Sequence, residues 1–265
     1  MRWLTAWARG VLERGGWDDR FRDSAIYGAY LSLRHPEHAA GMRRVDGFYG
    51  RLLSEAGRGL VFDIGANRGD RTRIFSAYAD RVVSVEPNAF CHRRLTRRFH
   101  SNPRVTLVQA GVGESVGMKP FLEFDEEGSA YNTFSPKWAA AQADRALKAA
   151  VDVPVTTLDA LIARYGRPSY IKIDVEGSEL DVIRGLSTPV RLLSVECILP
   201  EFLPESLELV ALLDRRFPGS RFNYSIGDSP QAFEEPDWVS AGAMSEILRR
   251  SQRRFIEVYC RCADL

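Results

Sequence analysis

LVFDIGANRGD, Leu60 to Asp70, is the stretch on which the fold turns. Leu60 to Ile64 form a short apolar run that ends on an acid, Asp63, and a glycine, Gly65. Gly65 and Gly69 let the backbone bend tightly and approach a ligand before a helix begins. RTRIFSAYA then reads as that helix, RVVSVE as a second strand, AFCHRRLTRRF as a second helix and RVTLVQA as a third strand. Strands alternating with helices imply a parallel sheet with helices on both faces.

Further along, KPFLEF reads as a strand added beyond this alternation. VDVPVTTL, the helix LDALIARYG and the strand YIKIDV restore it. SELDVIRGL, RLLSVECI, ESLELVALLDRRF, RFNYSI and FIEVYCRC carry the pattern to the last strand. Asp125 to Ala150 interrupt it with a polar, aromatic-bearing loop and an Ala-rich helix. A long connection of this kind is either a binding lid or a packed surface helix. Residues 1–57 read as a helical cap, broken around His35-Pro36 and closed by Gly57, before a main domain over 58–265.

Composition narrows the function. The chain has 265 residues, 45% hydrophobic and 27% charged, with a net charge of +1, which gives no footprint for extended nucleic-acid binding. No stretch reaches the roughly 20 apolar residues that span a bilayer, and the expected location is cytoplasmic. Trp3, Leu4, Trp7, Val11 and Leu12 recur at helical spacing. Such a stripe packs on its own domain or on a second subunit, which leaves a homo-oligomer open. Cys91, Cys197, Cys260 and Cys262 lie in or beside apolar segments, as core thiols do. His35 and His38 straddle a proline break and read as a solvated turn rather than a metal site.

The chemistry sits at strand ends. In an open parallel sheet, ligands bind at the carboxyl ends of the strands. Asp63 ends the first strand and Glu86 the second, where a carboxylate suits the two hydroxyls of a ribose. A dinucleotide prefers a G-x-G-x-x-G triplet, which is missing here, and its diphosphate would meet Asp63. S-adenosylmethionine instead brings an ammonium and a sulfonium, which a carboxylate attracts. Lys172 and Asp174 share one face of YIKIDV, and a charged pair in an apolar strand is costly unless paired or functional. Glu176 and Glu179 fall at a helix start, where the dipole favours acids. Glu196 is a further acid near the end of LLSVECI.

VFDIGANRGD, VVSVEPN and IKIDVEGSELDVIRGL resemble the motifs of the FkbM-type family of S-adenosylmethionine-dependent methyltransferases, from about Phe48 to Val195 and weakly beyond. The resemblance implies a Rossmann-like class I methyltransferase fold, with a mostly parallel seven-stranded sheet whose last strand is inserted antiparallel. It also implies O-methylation of a hydroxyl on a sugar, glycan or natural product. Asp63, Gly65, Asn67 and Gly69 would hold the methionine part and Glu86 the ribose, Ala110 and Gly111 would lie near the adenine, and Ala66, Pro87 and Asn88 would also belong to the cofactor site. Asp174, also placed near the cofactor, and Glu196 are the candidate catalytic acids, either as a base or as ligands of a divalent cation. Tyr131, Asn132, Trp138 and Glu176 are the expected substrate contacts. A nicotinamide-dependent oxidoreductase and a non-catalytic module of the same fold are the alternatives.

Overall fold

The computed structural model describes residues 23–124, 128–142, 144–227 and 229–262. The Trp3 to Leu12 stripe lies outside them. Two helices lead in, α1 (Ala25–Arg34) and α2 (Pro36–Ala56). Pro36 opens α2, where its missing N–H costs nothing, and Gly57 at φ 87° ends it. The α/β part then runs β1 (Leu60–Ile64), α3 (Asp70–Tyr78), β2 (Arg81–Val85), α4 (Ala89–Phe99), β3 (Val105–Val108), β4 (Gly111–Val112) and β5 (Gly117–Phe124). It continues with α5 (Pro136–Ala141), β6 (Leu147–Thr156), α6 (Leu158–Tyr165), β7 (Tyr170–Ile173), α7 (Glu179–Arg184) and β8 (Leu192–Ile198). The last elements are α8 (Leu203–Arg216), β9 (Arg221–Ile226), α9 (Ala241–Arg250) and β10 (Phe255–Arg261). No helix among the described residues is long and apolar enough to cross a membrane.

Seven strands form one sheet in the order β3-β2-β1-β7-β8-β10-β9, and β10 alone runs antiparallel to its neighbours. This is the expected class I methyltransferase topology. Strand order reverses between β1 and β7, the switch point at which open α/β sheets bind ligands.

Side-chain alternation divides the sheet into two faces. Phe62, Ile64, Val83, Ile171, Ile173, Leu193 and Val195 enter a core with α6, α8 and α9. Cys260 and Cys262 join it beside Ile256 and Val258, and all four cysteines are free and buried. On the other face Val45, Phe48, Tyr49, Leu52 and Leu53 of α2, three and four residues apart, cover Val61, Val82, Tyr170 and Tyr259.

That second face also carries a polar row. Register places Ser84 beside Asp63, Asp63 beside Lys172, Lys172 beside Ser194 and Ser194 beside Tyr259. Each is buried, so each needs a partner. Thr72 of α3 bonds both Asp63 and Ser84, Tyr170 bonds Ser194, and Ser194 and Tyr49 donate to Glu257.

Two expectations need correction. VDVPVTTL does not rejoin the main sheet: Val151 to Thr156 belong to β6, which pairs antiparallel with β5 and parallel with β4 in a separate three-stranded sheet. The Ala-rich helix is also shorter than expected. It ends at Ala141, and Leu147 to Ala150 are already strand, because their backbone groups pair with Leu122 to Phe124 of β5. Long-range pairing overrides the helix preference of alanine there.

Candidate functional site

A cavity of about 610 Å³ opens at the switch point, above the ends of β1, β2, β7 and β8. Asp63, Gly65, Ala66, Asn67, Glu86 and Pro87 line it, together with Ala110, Gly111 and Asp174. Tyr131, Asn132, Trp138, Glu176 and Glu196 line it as well. The structure therefore gathers nearly every residue singled out from the sequence. Gly69 and Asn88 are not among the lining residues. At Gly69 (φ 85°) a Cβ would lie 2.6 Å from both Leu95 and Phe99, so the position serves close packing of α4. Asn88 caps α4 by accepting from Cys91 N and donates to Glu123 Oε1 on β5.

The turn after β1 is held by the strands beside it. Gly65 N and Ala66 N donate to Val85 O, and Asp174 N donates to Ile64 O. Gly65 has φ 82°, and a Cβ there would lie 1.7 Å from the Asp174 carbonyl oxygen. Glycine is thus required by the approach of β7, a constraint that precedes any ligand.

Asp63 is 1% exposed. Burial raises its proton affinity, while Lys172 and the Thr72 hydroxyl, which donates to Oδ2 at 2.6 Å, oppose the rise. Glu86 accepts from Asn67 N at Oε2 and from Asn88 N at Oε1, both at 2.8 Å. Burial pushes this carboxyl up to about 7 despite the two amide bonds.

The segment after β7 forms the opposite wall. Lys172 Nζ, 4% exposed, donates to Asp174 Oδ2 at 2.7 Å. Glu176 has φ 58°, in the left-handed region, and precedes α7 rather than lying in its first turn. Glu179 does begin α7, and its Oε1 accepts from Val175 N and Gly177 N, each at 3.1 Å. Thr133 Oγ1 donates to the Glu176 carbonyl at 2.6 Å, so the segment between β5 and α5 clasps the same turn. The carboxylates of Asp174, Glu176 and Glu196 offer oxygens within 4.8 Å of one another. Burial, then the charges of Asp174 and Glu176, push Glu196 well above the usual carboxylate range.

Around these acids stand Tyr131 and Trp138, stacked with centroids 6.3 Å apart, and Phe121, Phe134 and Phe255. Asn132 turns its Oδ1 to Phe124 N and braces the wall of the cavity. Sequence reasoning missed Phe121, Phe134 and Phe255, which reach the cavity through long-range packing. It also missed Arg68, inside the glycine bend, and Arg71, just after it.

Sheet order and an acid-bordered cavity at the switch point define a class I methyltransferase fold. The chain belongs to the FkbM methyltransferase family: the model of the methyltransferase FkbM domain matches residues 63–217. The methyltransferase sdnD of Sordaria araneosa is 28% identical over 159 residues, an alignment covering 48% of this chain and 60% of that protein. Among solved structures, the plantazolicin methyltransferase BpumL, in complex with a monoazolic desmethylPZN analogue and SAH, is similar over 97% of this chain and 99% of its own, at 8% identity and a TM-score of 0.46. The C-terminal domain of precorrin-6Y C5,15-methyltransferase from Rhodobacter capsulatus is similar over 80% of this chain and 87% of its own, at 17% identity and a TM-score of 0.40.

Proposed function

We propose that this chain is an S-adenosylmethionine-dependent O-methyltransferase acting on a hydroxyl of a sugar, glycan or natural product. One observation carries the reading. The acids expected to hold a cationic nucleoside and the acids expected to meet an acceptor border a single cavity. The donor set fits the nucleoside. Asp63, Asp174, Glu176 and Glu196 make the β1–β7 end anionic, which suits an ammonium and a sulfonium and counts against a diphosphate. Glu86, whose two oxygens are fixed by backbone amides, suits vicinal ribose hydroxyls.

Bound there, the cofactor supplies a methyl group on a positively charged sulfur that leaves as a neutral thioether. The protein's residues do the rest. Rigid strand ends would hold the acceptor oxygen in line with the group to be transferred, so that positioning lowers the barrier. Glu196 suits the role of base that takes the hydroxyl proton, because burial and the charges of Asp174 and Glu176 raise its proton affinity above that of an ordinary carboxylate. Asp174, fixed by Lys172, faces the developing reaction as the second acid.

Incubation with methyl-labelled S-adenosylmethionine and a panel of saccharides and hydroxylated small molecules tests the assignment. Label should pass to an alkali-stable ether, and Asp174→Asn and Glu196→Gln should reduce transfer even at saturating S-adenosylmethionine. Full transfer by both variants contradicts the catalytic roles.

A second reading of the acids rests on their convergence: three oxygens within 4.8 Å also suit a divalent cation that lowers the acceptor's pKa. Titration with Mn²⁺ followed by electron paramagnetic resonance decides it. Glu176→Gln should abolish a site of this kind, and absence of any bound Mn²⁺ removes the cation from the mechanism.

A further inference from the structure

The methionine end of the cofactor carries an ammonium and a carboxylate on one carbon. A site that accepts it needs an anion and a cation side by side. Asp63 supplies the anion. The Asp174, Glu176 and Glu196 carboxylates at the same end of the cavity would repel the ligand's own carboxylate.

Three described cations line the cavity: Arg68, Arg71 and Lys172. Lys172 lies beneath the surface and gives its ammonium to Asp174. Arg68 exerts its charge on Cys91, at the α4 side. Arg71 belongs to the other end. It is the second residue of α3, and its guanidinium carbon lies 5.4 Å from the centroid of the Tyr49 ring. Its charge acts first on Tyr49 and Glu257, then on Asp174, and it also lowers the proton affinity of Asp63. The guanidinium therefore lines the same cavity as the acid expected to face the ammonium. It also sits in the first turn of a helix, where the dipole adds to the attraction for an anion.

We propose that Arg71 binds the α-carboxylate of the methionine moiety through its guanidinium N–H donors, with Asp63 facing the ammonium. The assignment rests on the reading of this cavity as an S-adenosylmethionine site. Arginine suits the role because its planar fork matches a carboxylate and stays charged at every physiological pH.

Calorimetric titration of the full chain with S-adenosylmethionine and with its decarboxylated analogue tests the proposal without an acceptor. Wild type should favour the intact nucleoside by about 10- to 100-fold, the range of one charge-assisted contact. Arg71→Met should bring the two affinities within about threefold of each other, and Arg71→Lys should fall between, keeping charge without the fork. Wild type that binds both nucleosides equally overturns the role of Arg71 and leaves the cofactor site standing. Undiminished preference in Arg71→Met does the same, and if that variant fails to fold by circular dichroism, undiminished preference in Arg71→Lys decides. Wild type that binds neither nucleoside overturns the cofactor reading and this assignment with it.

Discussion

Lowering the pH from 8 to 6 should weaken binding of S-adenosylhomocysteine about tenfold through Glu86. This carboxyl is 6% exposed at the end of β2, and burial sets its pKa at about 7. Asn67 N and Asn88 N already occupy one lone pair on each oxygen. The ionised group can still accept a ribose hydroxyl on each oxygen, whereas a protonated one must give up an acceptor position. The raised value fixes the sign: the binding-competent form is present above pH 7 and lost as pH falls through it. About nine-tenths of the protein is competent at pH 8 and about one-tenth at pH 6, so the apparent Kd rises about tenfold, worth about 1.4 kcal/mol. Calorimetry across this range, in buffers of differing ionisation enthalpy, should also register release of about half a proton at pH 7. Glu86→Gln should bind weakly with a flat profile, and the comparison cancels any titration of the ligand itself. A flat wild-type profile, or a slope that survives in Glu86→Gln, refutes the reasoning.

Substitutions at Gly65, Lys172 and Glu179 test the frame of the site. Gly65→Ala sets a methyl 1.7 Å from the Asp174 carbonyl oxygen at φ 82°, and should cost at least about 3 kcal/mol in urea unfolding; an unchanged midpoint contradicts the packing account. Lys172→Met leaves Asp174 without its buried partner. Because Asp174 is 32% exposed, the loss should be about 2 kcal/mol, below that of a fully buried pair, with a coupling of about 1 kcal/mol to Asp174→Asn; strict additivity in the double mutant tells against the pair. Glu179→Ala strands two amides of the Asp174 to Gly177 turn and should cost about 2 kcal/mol, whereas Glu179→Gln keeps an acceptor and should cost less than half of that. Equal losses in the two Glu179 variants argue that its oxygen does not hold the turn.

Much of this was legible in the chain because the decisive signals are local. An apolar run that stops at Asp63 and Gly65, another that stops at Glu86, and a third broken by Lys172 and Asp174 announce parallel strands and mark the rim where their acids converge. What was not legible depends on partners distant in sequence. Val151 to Thr156 read as strand, but nothing in those residues says that β5 and not β7 is the neighbour. Leu147 to Ala150 look helical alone and are strand only because β5 lies alongside. The buried row from Ser84 to Tyr259 exists only once five strands are in register, so the sequence shows isolated polar residues and not their sum. Arg71 escaped notice for the same reason: beside the glycine bend it reads as an ordinary helix residue, and only the packing of α2, with Tyr49 against the guanidinium, and the walls of the cavity give it a place there.

A crystal structure with S-adenosylhomocysteine tests the central claim most directly. The nucleoside should lie across the ends of β1 and β2, its ribose hydroxyls on Glu86 and its amino-acid end between Asp63 and Arg71. Density for it at another surface, or none at saturating concentration, contradicts the account.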